Sequence, residues 1–317
     1  MPGGLLARHE IDLARGPIVR GRTVLHRISQ CASPRWSRVP PSMSDTLRSN
    51  SSRRDSLGCM TSLAINLWIC GGVTAGCWLA SVATREYSWV DRVWSIVPVA
   101  YLWVFAARSD SPRVTLVAAL VTVWGVRLTF NFARRGGYAP GGEDYRWGII
   151  RGRIPGWAFA LFNLLFIAIY QNVLLLAIAL PAWTMAANPR PLGAYDVAAA
   201  ILFLGLLAGE TVADQQRWNF HRLNPSGGVL DAGLFRYSRH PNYFFEISQW
   251  WVVFAFAVIS AGTPLLWTGM GAVLLTLLFL GSTAFTEWVT KSRHPEFEDY
   301  RRTTSMLVPW RPRTDGR

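Results

Sequence analysis

The chain has 317 residues, of which 51% are hydrophobic and only 16% are charged, and its formal net charge is +13. This composition is too apolar for an ordinary soluble domain and is sufficient for several membrane spans of about 20 residues each. The Arg residues sit mainly in loops between apolar segments, where the positive-inside rule accounts for them without a nucleic-acid partner. The composition therefore predicts an integral membrane protein and argues against nucleic-acid binding.

Seven apolar segments predict an all-α, polytopic bundle of about seven transmembrane helices. In chain order they are Ser62–Ala83, Ser88–Ala107, Arg113–Phe132, Trp157–Leu180, Ala194–Ala213, Tyr243–Ser260 and Leu265–Val289. The second and sixth segments are shorter and more polar than the others, so either could instead be a buried or re-entrant helix.

The distribution of Arg predicts the orientation of the bundle. In a chain with seven spans, the loops Arg134–Arg153 and Arg217–Arg239 and the tail Lys291–Arg317 share one side, and they hold most of the loop charge. The positive-inside rule makes that side cytoplasmic. Since only one of the 32 basic residues is Lys, which hints at a GC-rich bacterial source, we expect a bacterial plasma membrane, or the endoplasmic reticulum if the source is eukaryotic.

The two ends of the chain are expected to lie outside the membrane domain. Residues 1–59 are rich in Arg and Ser and poor in acids, which predicts a disordered basic tail. That tail is either the result of a mis-assigned start, with Met43 or Met60 as the true one, or a targeting segment. The membrane domain is then 60–313, with a short disordered tail at 314–317.

Several common site motifs are missing from the sequence. The four Cys offer no disulfide framework and no paired spacing of metal ligands, so no metal site is predicted. There is no Gly-x-Gly-x-x-Gly after a strand, no phosphate-binding Gly-x-x-x-x-Gly-Lys loop and no His-Glu-x-x-His. Any nucleotide must therefore bind among the membrane helices.

The segment Gly233–Glu246 combines basic, aromatic and polar residues directly before an apolar run. Asn242 and Glu246 lie four residues apart at the start of a membrane helix, where lipid would penalise them, so they are expected to face a protein-lined cavity. The Arg, His and Tyr residues before them, with a helix N-terminus, suit a phosphate-bearing ligand with a planar ring. Anchoring to anionic headgroups is the alternative, but it leaves Asn242 and Glu246 unexplained.

Other polar residues fall at helical spacing inside predicted spans. One stripe consists of Glu210, Asp214, Arg217 and His221, and a second of Arg127, Asn131 and Arg134. The first can line a polar groove, or it can be a salt-bridge ladder within its own helix. Asp91 and Arg92 open the second span and are predicted to contact neighbouring helices, with an interfacial anchor as the alternative.

Four ordered motifs carry a family resemblance. They are Asp91–Ser95, Glu143–Trp147, Gly233–Glu246 and Glu296–Trp310. Together they resemble the uncharacterised, DUF1295-type membrane branch of the steroid 5α-reductase-like family, over essentially Thr61–Arg313. The resemblance implies a seven-helix membrane reductase that binds NADPH from the cytoplasmic side with its last helices and loops.

The resemblance and the polar pattern define the candidate site residues. The predicted cofactor-binding set is Asp214, Arg217, Arg236, Tyr237, Arg239, His240, Asn242, Glu246, Glu287 and Tyr300. Steroid reductases pair a carboxylate on the second helix with a Tyr on the third. This chain has Asp91 on the second, but Asn131 and Arg134 without a Tyr on the third, so the predicted catalytic set is Asp91 with Asn131 or Tyr145.

These expectations lead to one predicted reaction and two alternatives. The prediction is NADPH-dependent reduction of a C=C bond conjugated to a carbonyl, in an apolar lipid or steroid-like substrate. The turn Arg239–Tyr243, with Glu287 and Tyr300, also resembles isoprenylcysteine and phospholipid methyltransferases that use S-adenosylmethionine, although this chain lacks their Gly after the Tyr and their Glu-Glu pair. A non-enzymatic transporter is the second alternative, but the sequence shows no internal repeat.

Overall fold

The computed structural model describes residues 43–225 and 227–313, with side chains from Met60 onward, and every regular element in these ranges is helical. The chain divides into two units, Met1–Leu47 and Arg48–Arg317. In the first unit only the beginning of the first helix is described, and all other described elements belong to the second unit. That helix begins at Met43, inside the segment 1–59 predicted as a tail; residues 314–317 lie outside the described part.

Twelve α-helices form the described part of the chain. They are α1 Met43–Thr84, α2 Trp89–Val93, α3 Val97–Ala107, α4 Pro112–Arg134, α5 Tyr145–Arg151, α6 Gly156–Phe162, α7 Gln171–Ala179, α8 Pro181–Ala187, α9 Ala194–Leu223, α10 Pro241–Ala261, α11 Met270–Arg293 and α12 Phe297–Thr303. A π-helix, Asn163–Tyr170, joins α6 to α7, and short 3₁₀ turns stand at Gly233–Arg236 and Trp267–Gly269.

Six of the described helical segments are long and apolar enough to cross a membrane, judged by length and composition. They are Met60–Thr84, Pro112–Arg134, Gly156–Ala187, Ala194–Leu223, Pro241–Ala261 and Trp267–Arg293, and α3 is a shorter apolar helix. The predicted all-α, multi-pass bundle is confirmed.

The predicted second span, Ser88–Ala107, is not one continuous helix. A turn at residues 94–96 separates α2 from α3, and Pro98 stands at the start of α3, where a missing backbone N–H costs nothing. The sixth predicted span, by contrast, is the regular helix α10. Because of this break, Asp91 belongs to a short separate helix, α2, at the end of the bundle.

The helix α10 lies in the middle of the bundle and packs against α4, α8, α9 and α11. Its Trp250 meets Trp124 of α4 edge to face, with ring centroids 5.0 Å apart, and both side chains are buried. Phe256, further along the same helix, is fully buried. Since lipid is as apolar as these side chains, close packing rather than water exclusion holds such a core together.

Two glycines permit close helix contacts that a larger residue would prevent. A Cβ at Gly271 of α11 would stand 2.2 Å from the carbonyl oxygen of Ala177 on α7. A Cβ at Gly125 of α4 would stand 2.6 Å from the carbonyl oxygen of Ser95, at the break between α2 and α3. Small residues at such crossings let the backbones approach each other, as is usual for membrane helices.

Polar contacts fix the two ends of the bundle. At one end, the buried pair Arg113–Asp196 joins the starts of α4 and α9, with Nε to Oδ1 at 2.5 Å and Nη2 to Oδ2 at 2.8 Å. At the other end, the chain after α12 packs back on the loop before α10. There the Arg239 N–H donates to the Ser305 carbonyl at 2.8 Å, and the Trp310 N–H donates to the Tyr237 carbonyl at 2.8 Å.

Candidate functional site

A cavity of about 880 Å³ lies between α2, the loop before α5, the segment Phe162–Gln171, the start of α10 and the second half of α11. One wall is aromatic: Phe162 stacks on Phe166 with centroids 4.9 Å apart, and Phe166 stacks on Tyr170 at 5.4 Å. Phe166 and Tyr170 of this wall belong to the π-helix Asn163–Tyr170, and such segments are frequent at functional sites. The opposite wall includes Tyr243, which meets Phe279 edge to face at 4.8 Å.

Charged residues gather at one end of the cavity. The Arg146 guanidinium binds the Asp144 carboxylate through both Nε–Oδ1 at 2.9 Å and Nη2–Oδ2 at 2.6 Å, and its Nη1 donates to the Ser282 hydroxyl. Asp144 also caps α5 by accepting from the Arg146 N–H at 2.9 Å. Burial alone would lower the pKa of Arg146, but the hydrogen bonds and charge of Asp144 raise it above its ordinary value. Arg146 therefore remains a fixed cation at this end.

Asp91 lines the same end of the cavity as Arg146 and Tyr145. Its Oδ2 accepts a long hydrogen bond, 3.4 Å, from Trp147 Nε1. The structure does not bring Asn131 to Asp91: Asn131 donates to Asp214 Oδ2 at 2.7 Å and is not part of the cavity wall. Of the three predicted catalytic residues, Asp91 and Tyr145 share the cavity and Asn131 belongs to a different polar group.

A hydrogen bond to Glu86 holds the loop between α4 and α5 over this end of the cavity. Glu86, in the connection before α2, accepts from the Gly141 N–H at 2.9 Å and from Arg92 Nη2 at 2.6 Å. These two contacts hold the pKa of Glu86 below its ordinary value, the backbone hydrogen bond contributing most. Arg92 therefore has a partner six residues upstream rather than on a distant helix, a pairing that sequence analysis missed because the chain turns between them.

A network of polar side chains joins α4, α9 and α10, and its two acids, Glu210 and Asp214, are buried. Asp214 accepts from Arg127 Nη1 at 2.6 Å, Asn131 Nδ2 at 2.7 Å, Arg135 Nη2 at 3.2 Å and Asn242 Nδ2 at 3.4 Å. The Arg127 guanidinium also binds Glu210 through Nη2. The acids of the α9 stripe thus pair with other helices and do not form a ladder within α9.

One face of α10 presents buried oxygen atoms that have no hydrogen-bond partner in the described structure. Asn242 Oδ1, Glu246 Oε1 and Gln249 Oε1 stand at spacings of four and three residues on that face. The orientation of the amides is set by the acids of α9, since the Gln249 Nε2 donates to Glu210 Oε2 at 2.7 Å. Buried acceptors are expected to be satisfied, so this face suits a ligand that donates hydrogen bonds.

The polar network adjoins the cavity. Arg135 binds Asp214 and also lines the cavity wall. Tyr243, the residue after Asn242, lines the wall as well. A ligand bound along the polar face of α10 would therefore reach the cavity.

Four predicted cofactor-binding residues are engaged with each other and with backbone groups near the start of α10. Glu287 binds Arg239, with Oε1 to Nε at 2.7 Å and Oε2 to Nη2 at 3.0 Å, and its Oε1 lies 3.1 Å from His240 Nε2. The Tyr300 hydroxyl donates to the Phe235 carbonyl. Burial lowers the pKa of His240 despite the opposing hydrogen bond to Glu287, so His240 is not a ready cation at neutral pH.

The remaining predicted residues keep their side chains available. Arg217, Arg236 and Tyr237 make no side-chain hydrogen bond or ion pair within residues 60–225 and 227–313, and Tyr237 is 43% exposed. Arg217 lies close enough to His240 to help lower its pKa. Arg217 and Arg236 are therefore better placed to meet a phosphate than Arg239, whose guanidinium is already occupied.

The helical bundle and its cavity define a multi-pass membrane protein with an internal site that is apolar on its walls and charged at one end. Residues 77–304 match the family described as a protein of unknown function, DUF1295, and the chain belongs to this steroid 5α-reductase-like family. The predicted resemblance is confirmed. An uncharacterised protein of Schizosaccharomyces pombe is 34% identical over 265 residues, covering 75% of this chain and 76% of the relative. No solved structure gives a significant match.

Proposed function

We propose that the protein is an NADPH-dependent membrane reductase that acts on a C=C bond conjugated to a carbonyl in an apolar, lipid- or steroid-like substrate. The observation that carries the proposal is the cavity of about 880 Å³, with aromatic walls and Asp91, Asp144 and Arg146 at one end. Its volume lies within the range of about 300–1,000 Å³ usual for small-molecule sites. Membership of a steroid 5α-reductase-like family supports the same reaction class.

The residues beside the cavity fit the proposed cofactor. The unpartnered oxygens of Asn242, Glu246 and Gln249 could accept hydrogen bonds from a carboxamide, and the free guanidinium groups of Arg217 and Arg236 could meet phosphates. Bound NADPH would supply the hydride. We propose that Asp214 acts through this set by fixing Asn242 and Arg135, rather than by contact with the cofactor.

The protein must supply the remaining chemistry. Reduction of a conjugated C=C bond adds a hydride to one carbon and a proton to its neighbour, and negative charge develops on the carbonyl oxygen between these steps. We propose that the Tyr145 hydroxyl and the protonated carboxyl group of Asp91, whose pKa is raised by burial, donate hydrogen bonds to that oxygen at the charged end of the cavity, and that Asp91 is the source of the proton. The aromatic wall from Phe162 to Tyr170 would hold the apolar body of the substrate.

Titration calorimetry with the purified protein tests the cofactor. We expect NADPH to bind more tightly than S-adenosylmethionine, because Arg217 and Arg236 can meet several phosphate charges. Consumption of NADPH with an added apolar enone then tests the reaction. Heat from S-adenosylmethionine alone would overturn the reductase proposal.

The methyltransferase alternative remains the second candidate because the structure brings its motif residues together. Arg239 and His240 both contact Glu287, and the Tyr300 hydroxyl lies 3.5 Å from the carbonyl oxygen of Ser238, the residue before Arg239. Their hydrogen-bonding groups are, however, used by each other and by backbone carbonyls, which favours a structural role. The same calorimetry separates the two candidates.

The location in the cell is also a proposal. The yeast relative is a eukaryotic protein and gives no support to the expected bacterial plasma membrane. We propose the endoplasmic reticulum as the location to test first, by fluorescence microscopy of a tagged full-length chain in a eukaryotic cell. A signal at the cell surface alone would exclude it.

A further inference from the structure

A second, smaller pocket lies where the chain after α12 turns back over the start of α10. Its volume is about 380 Å³, and five of its ten lining residues are arginines: Arg239, Arg301, Arg302, Arg311 and Arg313. It shares no lining residue with the 880 Å³ cavity. We call it the tail pocket.

The arginines of α12 that line the tail pocket are only weakly neutralised. Arg301 Nη2 and Arg302 Nε approach the same Glu298 oxygen at 3.4 Å and 3.8 Å, both long for an ion pair. Glu298 also binds Lys291, with Oε2 to Nζ at 2.9 Å. One carboxylate is therefore shared by three cations.

The arginines beyond α12 have no acidic partner at all within the described residues. Arg311 and Arg313 are exposed and form no ion pair there, and the hydroxyls of Thr304 and Ser305 make no hydrogen bond in the same part of the chain. The pocket thus offers several charge-assisted donors and two neutral ones, with hardly any negative charge to match them. Arginine forks match the geometry of carboxylate and phosphate oxygens, and a phosphate has the charge and the three oxygens to meet several arginines at once.

We propose that the tail pocket binds a phosphate group, carried by a soluble phosphorylated compound or by the headgroup of an anionic lipid, at a site separate from the cavity and its cofactor. Trp310, 70% exposed, and Val308, 56% exposed, stand beside the arginines, a combination typical of the membrane–water interface. The site depends on the charge and shape of the tail and is independent of the reaction in the cavity.

Binding of a phosphate group would hold the tail, residues 301–313, against the loop before α10. The bound phosphate would bridge the arginines of α12 and the arginines that follow α12. The chain between them is already held to the loop before α10 by the Arg239–Ser305 and Trp310–Tyr237 backbone hydrogen bonds. A ligand that binds only the folded tail stabilises it by mass action. We therefore expect phosphate ligands to raise the unfolding temperature.

The double variant Arg311→Gln/Arg313→Gln tests the site. Both residues are exposed, so the fold should survive, which an unchanged unfolding temperature without ligand would verify. The control Arg108→Gln/Arg190→Gln removes the same charge from two exposed loop positions at the other end of the bundle. Binding of inorganic phosphate, and of phosphatidic acid in detergent micelles with phosphatidylcholine as the reference, is measured by native mass spectrometry and thermal shift.

We expect the parent and the control variant to bind at least one of the two probes, and the tail variant to bind it about tenfold or more weakly, since two charge-assisted contacts are lost. Binding of phosphatidic acid without phosphate identifies a lipid headgroup as the source, and the reverse identifies a soluble compound. Equal binding by all three proteins, or by none, overturns the proposal. So does a matching loss of NADPH affinity in the tail variant, because the pocket would then belong to the cofactor site.

Discussion

At the scale of single residues, the number and length of the hydrogen bonds at a position separate a structural role from a binding role. Asp214 accepts from four side chains at 2.6–3.4 Å, whereas Asn242 contributes only the longest of these contacts and keeps its own oxygen free. Both residues are predicted as cofactor contacts from the sequence. Their surroundings predict different consequences of mutation.

We expect Asp214→Ala to destabilise the protein by roughly 2–4 kcal/mol, because Arg127, whose side chain is only 12% exposed, keeps one carboxylate instead of two and Asn131 loses its acceptor. Asn242→Ala should cost no more than about 1 kcal/mol, since one long hydrogen bond is lost, yet it should weaken NADPH binding. Thermal unfolding in detergent and calorimetry measure the two effects. Equal destabilisation by both substitutions would make Asn242 purely structural.

Asp91 is the residue on which the proposed chemistry depends. Asp91→Asn keeps the size of the side chain and its contact with Trp147, but removes the carboxyl group from the cavity. NADPH affinity should stay within about twofold, while hydride transfer to a responsive enone should slow by an order of magnitude or more. Single-turnover loss of NADPH fluorescence measures the step, with the exposed Asp110→Asn as the control. Unchanged turnover would leave Asp91 as an interfacial anchor.

At the scale of helices, α7 and α11 approach each other closely at Gly271, where an added Cβ would stand 2.2 Å from the Ala177 carbonyl oxygen. Because a Cβ there meets backbone, which cannot swing aside, we expect Gly271→Ala to destabilise the bundle by about 1–3 kcal/mol. Gly281→Ala on the same helix meets no atom within 4 Å and should instead stabilise α11 slightly through its higher helix propensity. Thermal unfolding of the two variants compares them directly. A stable Gly271→Ala protein would show that α7 and α11 can separate without loss.

Helices also show where sequence reasoning succeeds and where it stops. Runs of apolar residues locate α4, α9, α10 and α11, because lipid imposes a simple length and polarity on every span. The same runs conceal the turn between α2 and α3 and the π-helix Asn163–Tyr170, since both consist of residues that are as apolar as their neighbours. Phe166 and Tyr170 of the stacked wall belong to that π-helix, and the apolar run does not predict its hydrogen-bond pattern.

The candidate site, like the helices, could be predicted from the sequence only in part. The stripe spacing on α9 correctly singled out acids that lie inside the bundle, but a stripe carries no information about which helix it faces. Arg127 and Gln249 emerged as partners of Glu210 only once α4 and α10 were placed beside α9. Arg239 was expected to bind phosphate because its charge is visible in the sequence, whereas its engagement by Glu287, 48 residues away, is not.

At the scale of the whole molecule, the basic segments meet at one end of the bundle and the Arg113–Asp196 pair marks the other. We expect the basic end to face the cytoplasm. In a background with all four Cys replaced by Ser, an impermeant maleimide added to sealed vesicles with the cytoplasmic face outward should label Ala232→Cys and not Asp110→Cys. The reverse result would invert the orientation. Ser226 and Thr314, two other positions in the basic segments, lie outside the described residues.

Leu277 of the membrane-spanning helix α11 lines the large cavity and is 57% exposed, so we expect the cavity to open toward the lipid at this wall. An apolar substrate would enter sideways from the bilayer. The variable that sets the occupancy of the cavity is then the mole fraction of substrate within the membrane. Diluting the substrate with inert lipid should slow the proposed reaction, whereas adding buffer to the same vesicles should leave its rate unchanged.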